Sequence, residues 1–405
     1  MKRIIVVGGG AAGCFGAIRA KAVDPAADVV VLEAAATPLN KVRISGGGRC
    51  NLTHAVRDLA HLLSAYPRGG PGLRRLLARF GPRETVAWFE GHGVALKTEA
   101  DGRMFPITDD SATVVECLLE EAKRLGVRIE CRACVTGVFP GLRVETAAGA
   151  RQADAVLLAP GGSRRSHPWL TRLGHTVVSP VPSLFTFHLE APDLAALAGI
   201  SVPAVEGRLQ VGETAVEQAG DLLFTHWGLS GPIILRLSAW GARMLHDSAY
   251  RGRLELDLLP GTKTPALLSA FQQNRETTRR REVGADAPAL PRRLWRVLVE
   301  RAGIPLDRYW SGVSNQAMEA LSAQVKRLTV EVVGKGEFKE EFVTAGGVPL
   351  DEVDIETMES RRTPGLYLAG EVLDVDGLTG GFNFQNAWSG GWVAGEAMGR
   401  RPSPP

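Results

Sequence analysis

Three glycines near the start of the chain have the spacing of a phosphate-binding turn. The pattern Gly-x-Gly-x-x-Gly follows the apolar run Arg3–Val7 and precedes a helix-like stretch of small residues. Such glycines allow a tight strand-to-helix turn and a close approach of the backbone to a pyrophosphate, which the free N–H groups of the helix N-terminus attract. The candidate phosphate contacts are Gly8, Gly10, Ala11, Ala12 and Gly13.

A carboxylate follows at the position that a dinucleotide site requires. The second apolar run, Asp28–Leu32, ends in Glu33, twenty residues after Gly13. A carboxylate there accepts hydrogen bonds from the hydroxyls of an adenosine ribose and disfavours a 2′-phosphate. The order of strand, glycine turn, helix, strand and acid is that of a βαβ unit, and it favours FAD or NAD over NADP.

A glycine-rich segment with cations comes next and is predicted to be an extended loop from Lys41 to His54. Three consecutive glycines remove side chains where the backbone must approach a ligand closely. The neighbouring cations suit the same diphosphate, and an asparagine can form hydrogen bonds at a ring system; the alternative is a flexible surface loop. The candidate contacts are Lys41, Ser45, Gly46, Gly47, Gly48, Arg49, Cys50 and Asn51.

The C-terminal part of the chain carries a second glycine-rich motif after an apolar strand. An acid just after this strand would reach the ribityl hydroxyls of a flavin. The helix that follows would point its N-terminus at the N1–C2=O edge of the flavin, which gains negative charge on reduction. The spacing favours a flavin over an ordinary capped helix. The candidate contacts are Gly370, Glu371, Asp374, Gly380, Gly381, Phe382, Asn383 and Gln385, with Gly161, Gly162 and Val135 from earlier strands.

Two side chains are candidates for polarising a substrate. His226, in Thr-His-Trp-Gly, can donate a proton near neutral pH. Arg103, in Asp-Gly-Arg-Met-Phe-Pro, can bind an anion. The alternatives are a structural histidine and an ordinary surface arginine.

The composition is that of a globular protein of more than one domain. The chain has 405 residues, of which 45% are apolar and 22% charged. The net charge of +3 gives no overall field that would favour nucleic acid or a membrane surface. No window of about 18 apolar residues predicts a membrane span. The five cysteines fit reduced thiols in the cytoplasm, and Cys131-x-x-Cys134 has no second pair, so no metal site is predicted.

The order of predicted elements indicates an α/β protein in which one domain is interrupted by an insertion. Apolar strands that end in glycine turns occur at both ends of the chain, whereas alternating strands and then helices lie between them. The predicted divisions are a cofactor-binding domain in two parts, 1–185 and 341–405, a β-rich insert at 186–260 and a mainly helical insert at 261–340.

These motifs resemble those of a bacterial family of FAD flavoproteins, the NAD(P)/FAD-dependent oxidoreductases that include aminoacetone-oxidase-like and BaiN-type bile-acid-reductase-like proteins. The resemblance spans nearly the whole chain, and its most specific blocks are Ser-Gly-Gly-Gly-Arg-Cys-Asn at 45–51 and Thr-Gly-Gly-Phe-Asn-Phe-Gln at 379–385. It implies the fold of a two-dinucleotide-binding-domain flavoprotein, with a Rossmann-type FAD domain interrupted by a β-barrel-like and a helical subdomain.

The function expected from these observations is that of an FAD-dependent oxidoreductase. A hydride would pass through flavin N5 between a small organic substrate and NAD(P)H or O2. The sequence has no second Gly-x-Gly-x-x-Gly with its own acid, so NADH or NADPH would dock transiently. The alternative is an FAD-dependent RNA-modifying or RNA-binding protein that uses the basic helical insert around Arg275–Arg301. The substrate and the oligomeric state stay open.

Overall fold

The computed structural model of the protein describes residues 1–336 and 343–402. The chain divides into two compact units, Met1–Val181 with Val343–Pro405, and Pro182–Phe342. The boundary that the sequence analysis places between residues 340 and 341 lies outside the described residues.

Both strands and helices occur along these described residues. The strands, in chain order, are β1 (Arg3–Val7), β2 (Asp28–Leu32), β3 (Thr53–His54), β4 (Leu96–Thr98), β5 (Arg103–Pro106), β6 (Arg128–Glu130), β7 (Val135–Phe139), β8 (Arg143–Thr146), β9 (Gly149–Gln152), β10 (Ala155–Leu158), β11 (Val178–Ser183), β12 (Phe187–Leu189), β13 (Ser201–Val211), β14 (Thr214–Thr225), β15 (Gly228–Ser230), β16 (Gly252–Asp257), β17 (Leu328–Lys335), β18 (Val343–Gly347), β19 (Val353–Asp354), β20 (Glu359–Ser360) and β21 (Leu366–Leu368). The helices are α1 (Ala11–Val23), α2 (Asn40–Gly48), α3 (Leu59–Ser64), α4 (Arg74–Arg79), α5 (Pro82–Gly91), α6 (Ser111–Leu125), α7 (His167–Arg172), α8 (Pro192–Ala195), α9 (Pro232–Trp240), α10 (Ala242–Asp247), α11 (Thr264–Thr277), α12 (Arg292–Arg301), α13 (Asn315–Lys326) and α14 (Phe382–Arg400).

The first unit is built on a seven-stranded sheet in the order β19–β20–β21–β10–β1–β2–β6. The last five strands in this order are parallel, whereas β19 and β20 add an antiparallel edge. Strand β1 lies in the middle, and Ile4–Val7 are at most 4% exposed, as expected for a strand covered on both faces. The predicted α/β Rossmann-type fold is confirmed.

Helices α1 and α14 pack against each other through glycines. A Cβ on Gly391 would lie 2.5 Å from the carbonyl oxygen of Ala12, and one on Gly395 would lie 2.3 Å from that of Gly16. Because the contacts advance by four residues along both helices, the helices are parallel and their N-termini lie at the same end. Helix α14 begins nine residues before Gly391 and α1 one residue before Ala12. The N-terminus of α14 therefore extends about 12 Å beyond that of α1, at 1.5 Å per residue.

The second unit contains a closed antiparallel barrel in the order β12–β15–β14–β13–β16–β17. Along β16 the side chains alternate, with Leu254 and Leu256 buried in the barrel and Arg253 on the outside. The predicted β-barrel-like insert is thus confirmed. Its last strand, β17, follows helices α11–α13 in the chain, and the barrel and these helices belong to one compact unit.

Candidate functional site

The first glycine turn joins β1 to α1 at the carboxyl end of the parallel sheet. Gly8 has φ +104°, and a Cβ there would lie 2.3 Å from the carbonyl oxygen of Ala159, so only glycine fits. Gly10 is the N-cap of α1 and offers no side-chain cap to its N–H groups. A Cβ on Gly10 would have no atom within 4 Å, which means that this backbone borders open space. The turn thus presents N–H groups of a helix N-terminus to a volume that a phosphate can enter.

The Glu33 carboxylate is fixed beside this turn. Its Oε2 accepts a hydrogen bond from the N–H of Gly9 at 2.7 Å, and its Oε1 accepts one from the N–H of Ala35 at 2.7 Å. The segment that leads into β7 runs alongside, because the N–H of Ala133 donates to the carbonyl oxygen of Glu33 at 2.8 Å. Val135, at the start of β7, follows two residues after Ala133, whose N–H contacts the backbone of the acid that would bind the ribose.

Replacement of Glu33 is the first test of this arrangement. We expect Glu33→Ala to weaken FAD binding about 10- to 100-fold, because charged hydrogen-bond acceptors are lost. The measurement is a fluorescence titration of the apoprotein with FAD. Asp28→Asn is the matched control, since Asp28 lies at the other end of β2 and pairs with Arg128 at 3.0 Å. Unchanged affinity in Glu33→Ala would exclude this role.

The segment predicted as an extended loop from Lys41 to His54 is partly helical, and that prediction is wrong in this respect. Helix α2 covers Asn40–Gly48, with non-helical dihedral angles at Ser45, Gly46 and Gly47. A Cβ on Gly47 or Gly48 would have no atom within 4 Å, so these glycines also border open space. The helical turn was missed because residues 40–44 have no apolar periodicity.

Lys41 lies beside the glycine turn that follows β10 and the acid that follows β21. Its Nζ is 2.6 Å from Oε2 of Glu371, which also accepts a hydrogen bond from the N–H of Gly162 at 3.2 Å. A Cβ on Gly161 would lie 3.6 Å from the same carboxylate oxygen. Four predicted contacts thus meet at the carboxyl ends of β10 and β21, where ligands of parallel sheets bind.

Arg49 and Arg103 share a carboxylate instead of presenting two unpaired charges. Glu99 accepts a hydrogen bond from Nη1 of Arg49 at 2.7 Å and one from Nη2 of Arg103 at 2.8 Å. Arg103 also donates through Nε to Asp101 at 2.7 Å. The Arg49 guanidinium carbon lies 4.1 Å from the centre of the Phe105 ring. Binding of an anion by either arginine would compete with these acids, and their roles stay predictions.

The N-terminus of α14 is held against the segment around Asn51. Gly381 is the N-cap with φ +91°, and a Cβ there would lie 2.7 Å from the carbonyl oxygen of Thr53. With the Asn51 amide oriented to satisfy both of its ends, its oxygen accepts from the N–H of Gly381 at 3.1 Å and its nitrogen donates to Thr53 O at 3.1 Å. No side chain of the described residues caps the helix. The N–H groups of its first turn, beginning at Phe382, are thus not used by a capping side chain.

The loop before α14 is tied down by its own side chains. Asn383 accepts from the N–H of Gly377 at 2.8 Å and donates to the carbonyl oxygen of the same residue at 2.9 Å. The ring of Phe382 stacks on that of His54 with 4.8 Å between centres. These contacts fix the loop that contains Gly380 and follows Asp374, on which the N-terminus of α14 depends.

The side chains of two predicted cofactor-binding residues, Gln385 and Cys50, are buried within the protein. Gln385 is fully buried, and its amide is hydrogen-bonded to Thr53 at 2.6 Å, Thr85 at 3.1 Å and Ser389 at 3.0 Å. Cys50 is fully buried as well, and burial raises the pKa of its thiol to about 12. Both side chains are thus occupied within the protein, and a contact from either residue to a cofactor would come from its backbone, which stays a prediction.

Sequence reasoning missed one buried ion pair next to the site. Arg68 donates through Nε and Nη2 to both carboxylate oxygens of Asp376, which is fully buried in the loop before α14. An aspartate next to a glycine, in Asp-Val-Asp-Gly, usually indicates a solvated turn. Only its pairing with Arg68, 308 positions away, distinguishes the buried Asp376 from the aspartate of a solvated turn.

His226 belongs to the second unit. It lies in the two-residue turn between β14 and β15, next to Trp227, and is exposed. Its imidazole forms no hydrogen bond with another part of the chain that the structure describes. Its role as a proton donor stays a prediction.

The residues of the first unit fit an FAD molecule. The α1 N-terminus suits the pyrophosphate, Glu33 suits the ribose of the adenosine, and the α14 N-terminus, about 12 Å further along, suits an acceptor edge of the flavin. Across residues 1–336 and 343–402, no helix is long and apolar enough to cross a membrane, and no cluster of three or more potential metal ligands occurs.

Comparisons with known proteins identify a family profile and similar relatives. The profile described as the HI0933-like protein Rossmann domain matches residues 2–397. The chain is 32% identical to the 3-dehydro-bile acid delta(4,6)-reductase of Clostridium scindens, with 99% of this chain and all of that protein covered. It is 30% identical to the ribosomal RNA dihydrouridine synthase of Escherichia coli, with 97% of each chain covered.

Two solved structures share the fold at low sequence identity. One is the 3-ketosteroid-delta4-(5alpha)-dehydrogenase of Rhodococcus jostii RHA1, with a TM-score of 0.53, 15% identity and coverage of 99% of this chain and 97% of that one. The other is a flavocytochrome c3 fumarate reductase in its open conformation, with a TM-score of 0.51, 14% identity and coverage of 98% and 78%.

Proposed function

Because this chain belongs to the HI0933-like family of FAD-binding Rossmann proteins and is an oxidoreductase, we propose that it reduces a carbon–carbon double bond conjugated to a carbonyl group. FAD, when bound, supplies hydride transfer through its N5 atom, with NAD(P)H as the electron donor. The observation that supports the binding of FAD is the pair of parallel helices, α1 and α14, whose N-termini have no side-chain cap among the described residues and face the same end of the sheet.

The double bond is inferred from the chemistry that two relatives share. The name of the 3-dehydro-bile acid delta(4,6)-reductase describes a substrate whose double bonds at positions 4 and 6 are conjugated to the 3-keto group. A dihydrouridine synthase saturates the bond of uracil that is conjugated to a ring carbonyl. In both cases the carbon that accepts hydride is activated by a carbonyl, and a donor at the carbonyl oxygen stabilises the charge that develops there.

Within this proposal, the chain's own residues bind the cofactor and polarise the substrate. Glu33, Lys41 and Glu371 would orient the cofactor, and the α14 N-terminus would stabilise a negatively charged acceptor edge because of its partial positive charge. His226 would hold a proton for the substrate, and Arg103 would bind an anionic group of the substrate.

The experiment that tests the function is an anaerobic titration. Purified protein is mixed with NADH or NADPH while the visible absorption bands of the flavin are followed, and a 3-ketosteroid with a delta4 double bond is then added. We expect the bands to bleach with one of the two donors and to return with the enone. The proposal fails if no donor bleaches the flavin and chemically reduced protein does not transfer electrons to the enone.

A substitution of His226 separates its chemical role from a structural one. We expect His226→Ala to slow substrate-dependent reoxidation of the flavin about 100-fold, the usual size of a lost general acid, with unchanged FAD content. His246→Ala is the matched control, since this exposed histidine of the same unit pairs with its neighbour Asp247 at 3.2 Å. Equal rates in both variants would remove His226 from the mechanism.

The second candidate function is modification of RNA. It is favoured by the 30% identity to a ribosomal RNA dihydrouridine synthase and by a group of arginines in the second unit. Some of these are neutralised, as Arg281 pairs with Asp286 at 3.0 Å, whereas Arg292 and Arg296 on α12 are exposed. Contacts with phosphates would make the affinity fall steeply with salt. Absence of an RNA gel shift at low salt would exclude this candidate.

A further inference from the structure

A cleft on the second unit gathers three arginines. It has a volume of about 350 Å³ and is lined by Arg253, Arg301, Ala323, Gln324, Arg327 and Thr329. These residues come from β16, the end of α12, the end of α13 and the start of β17. The lining contains three cations and no carboxylate, together with an amide and a hydroxyl that can donate hydrogen bonds.

The guanidinium group of Arg301 is held in place by one ion pair, and one of its other nitrogen atoms has no hydrogen-bond partner among the described residues. Its Nε donates to Asp193 at 2.8 Å, which fixes the plane of the guanidinium. Its Nη1 is buried and has no hydrogen-bond partner within the part of the chain that the structure describes. A buried charged donor without a partner is costly, so an oxygen ligand at this atom would stabilise the protein.

The other two arginines differ in their pairing. Arg253 lies 3.2 Å from Glu255 and opposite Glu331 in the β16–β17 ladder, so its charge is largely balanced. Arg327 is exposed, and its side chain forms no ion pair within residues 1–336 and 343–402. The neighbouring Lys326 is neutralised by Asp257 at 2.6 Å. The cationic character of the cleft therefore depends on Arg327 and on Nη1 of Arg301.

Helix ends offer another reason for these arginines, because α12 ends at Arg301 and α13 ends just before Arg327. Cations at such ends balance the partial negative charge of the last carbonyls. In that case Nη1 of Arg301 would donate to a carbonyl, and it does not. We propose that the cleft binds a phosphate group. Its oxygens would accept hydrogen bonds from the guanidinium groups of Arg301 and Arg327, in the forked geometry that is typical of arginine and phosphate.

The proposal is tested on the full chain saturated with FAD, so that phosphate cannot enter the glycine turn. The probe is inorganic phosphate, titrated at constant ionic strength and followed by calorimetry. We expect one saturable site whose affinity falls about tenfold or more in Arg327→Gln and in Arg301→Gln. Arg296→Gln, an exposed arginine of the same unit outside the cleft, is expected to bind phosphate as the wild type does.

The source of the phosphate is distinguished by competition. Displacement of inorganic phosphate by ADP at lower concentration than by an oligouridylate indicates a free nucleotide, and the reverse order indicates an RNA chain. Absence of phosphate binding overturns the proposal, as does wild-type affinity in Arg327→Gln, which has no partner to lose and should fold normally. Either result leaves the FAD site untouched, because its residues lie in the first unit.

Discussion

Replacing Gly10 with alanine should yield a folded protein that has lost FAD. Gly10 has φ −84° and a Cβ there would meet no atom within 4 Å, so alanine is tolerated by the backbone and by its neighbours. The loss of glycine at an N-cap costs about 1 kcal/mol or less. The methyl group would, however, occupy the space through which the helix N-terminus approaches a pyrophosphate. We expect the FAD content of the purified variant to fall at least about 100-fold.

Gly13→Ala is the contrasting variant for this prediction. A Cβ on Gly13 would lie 1.9 Å from the carbonyl oxygen of Gly8, so α1 must move away from the turn. Overpacking of this kind is expected to lower the free energy of unfolding by about 3 kcal/mol. Urea unfolding and FAD content are measured for both variants. Full FAD content in Gly10→Ala, or wild-type stability in Gly13→Ala, would contradict the assignment of the turn.

Breaking the pair between Arg68 and Asp376 should destabilise the first unit more than any surface change. Arg68→Met leaves the fully buried Asp376 carboxylate without its bidentate partner. Removal of one member of a buried ion pair typically costs about 3–5 kcal/mol, because a charge stays buried without compensation. The measurement is the free energy of unfolding in urea, read in the FAD-free protein.

Arg75→Met is the matched control for Arg68→Met. Arg75 pairs with Glu356 at 3.1 Å, but the two side chains are 74% and 52% exposed. An exposed pair contributes about 1 kcal/mol or less. If both variants lost the same small amount, the Asp376 carboxylate would not depend on Arg68, and the loop before α14 would be held by its other contacts.

The helices and strands around the site could be predicted because each is indicated by residues that are adjacent in the sequence. The strands Arg3–Val7 and Asp28–Leu32 are apolar runs that end at a glycine or an acid, and the structure has the same bounds. Helix α6 begins after the N-cap Asp110, whose side chain accepts from the N–H of Ala112, and ends before Gly126, which has φ +82°. Helix α9 begins at Pro232 directly after Gly231, a local signal of proline in the first helical turn.

Contacts between distant residues could not be predicted from these patterns. The pairing of Lys41 with Glu371 joins residues 330 positions apart, and neither charge has a local partner that would indicate it. The inward turn of Gln385 depends on Thr53 and Thr85, which no periodicity connects to α14. A single sequence gives residue types, whereas these contacts depend on how the strands are ordered in the sheet.

One long-range feature did have a signal in the sequence. Gly391, Gly395 and Gly399 recur every four residues, which places them on one face of a helix. The same face packs on α1 so closely that a Cβ on Gly399 would lie 2.9 Å from the carbonyl oxygen of Ala20. The spacing is typical of a close helix contact, whereas the common direction of the two helix N-termini follows only from the contacts in the structure.

The most direct test of the account is the identity and amount of flavin in the purified protein. The folded wild-type chain is denatured, and the released cofactor is identified by chromatography and quantified against the protein. The account predicts about one FAD per chain, as for a single dinucleotide turn. A folded, colourless protein that does not take up added FAD would contradict it.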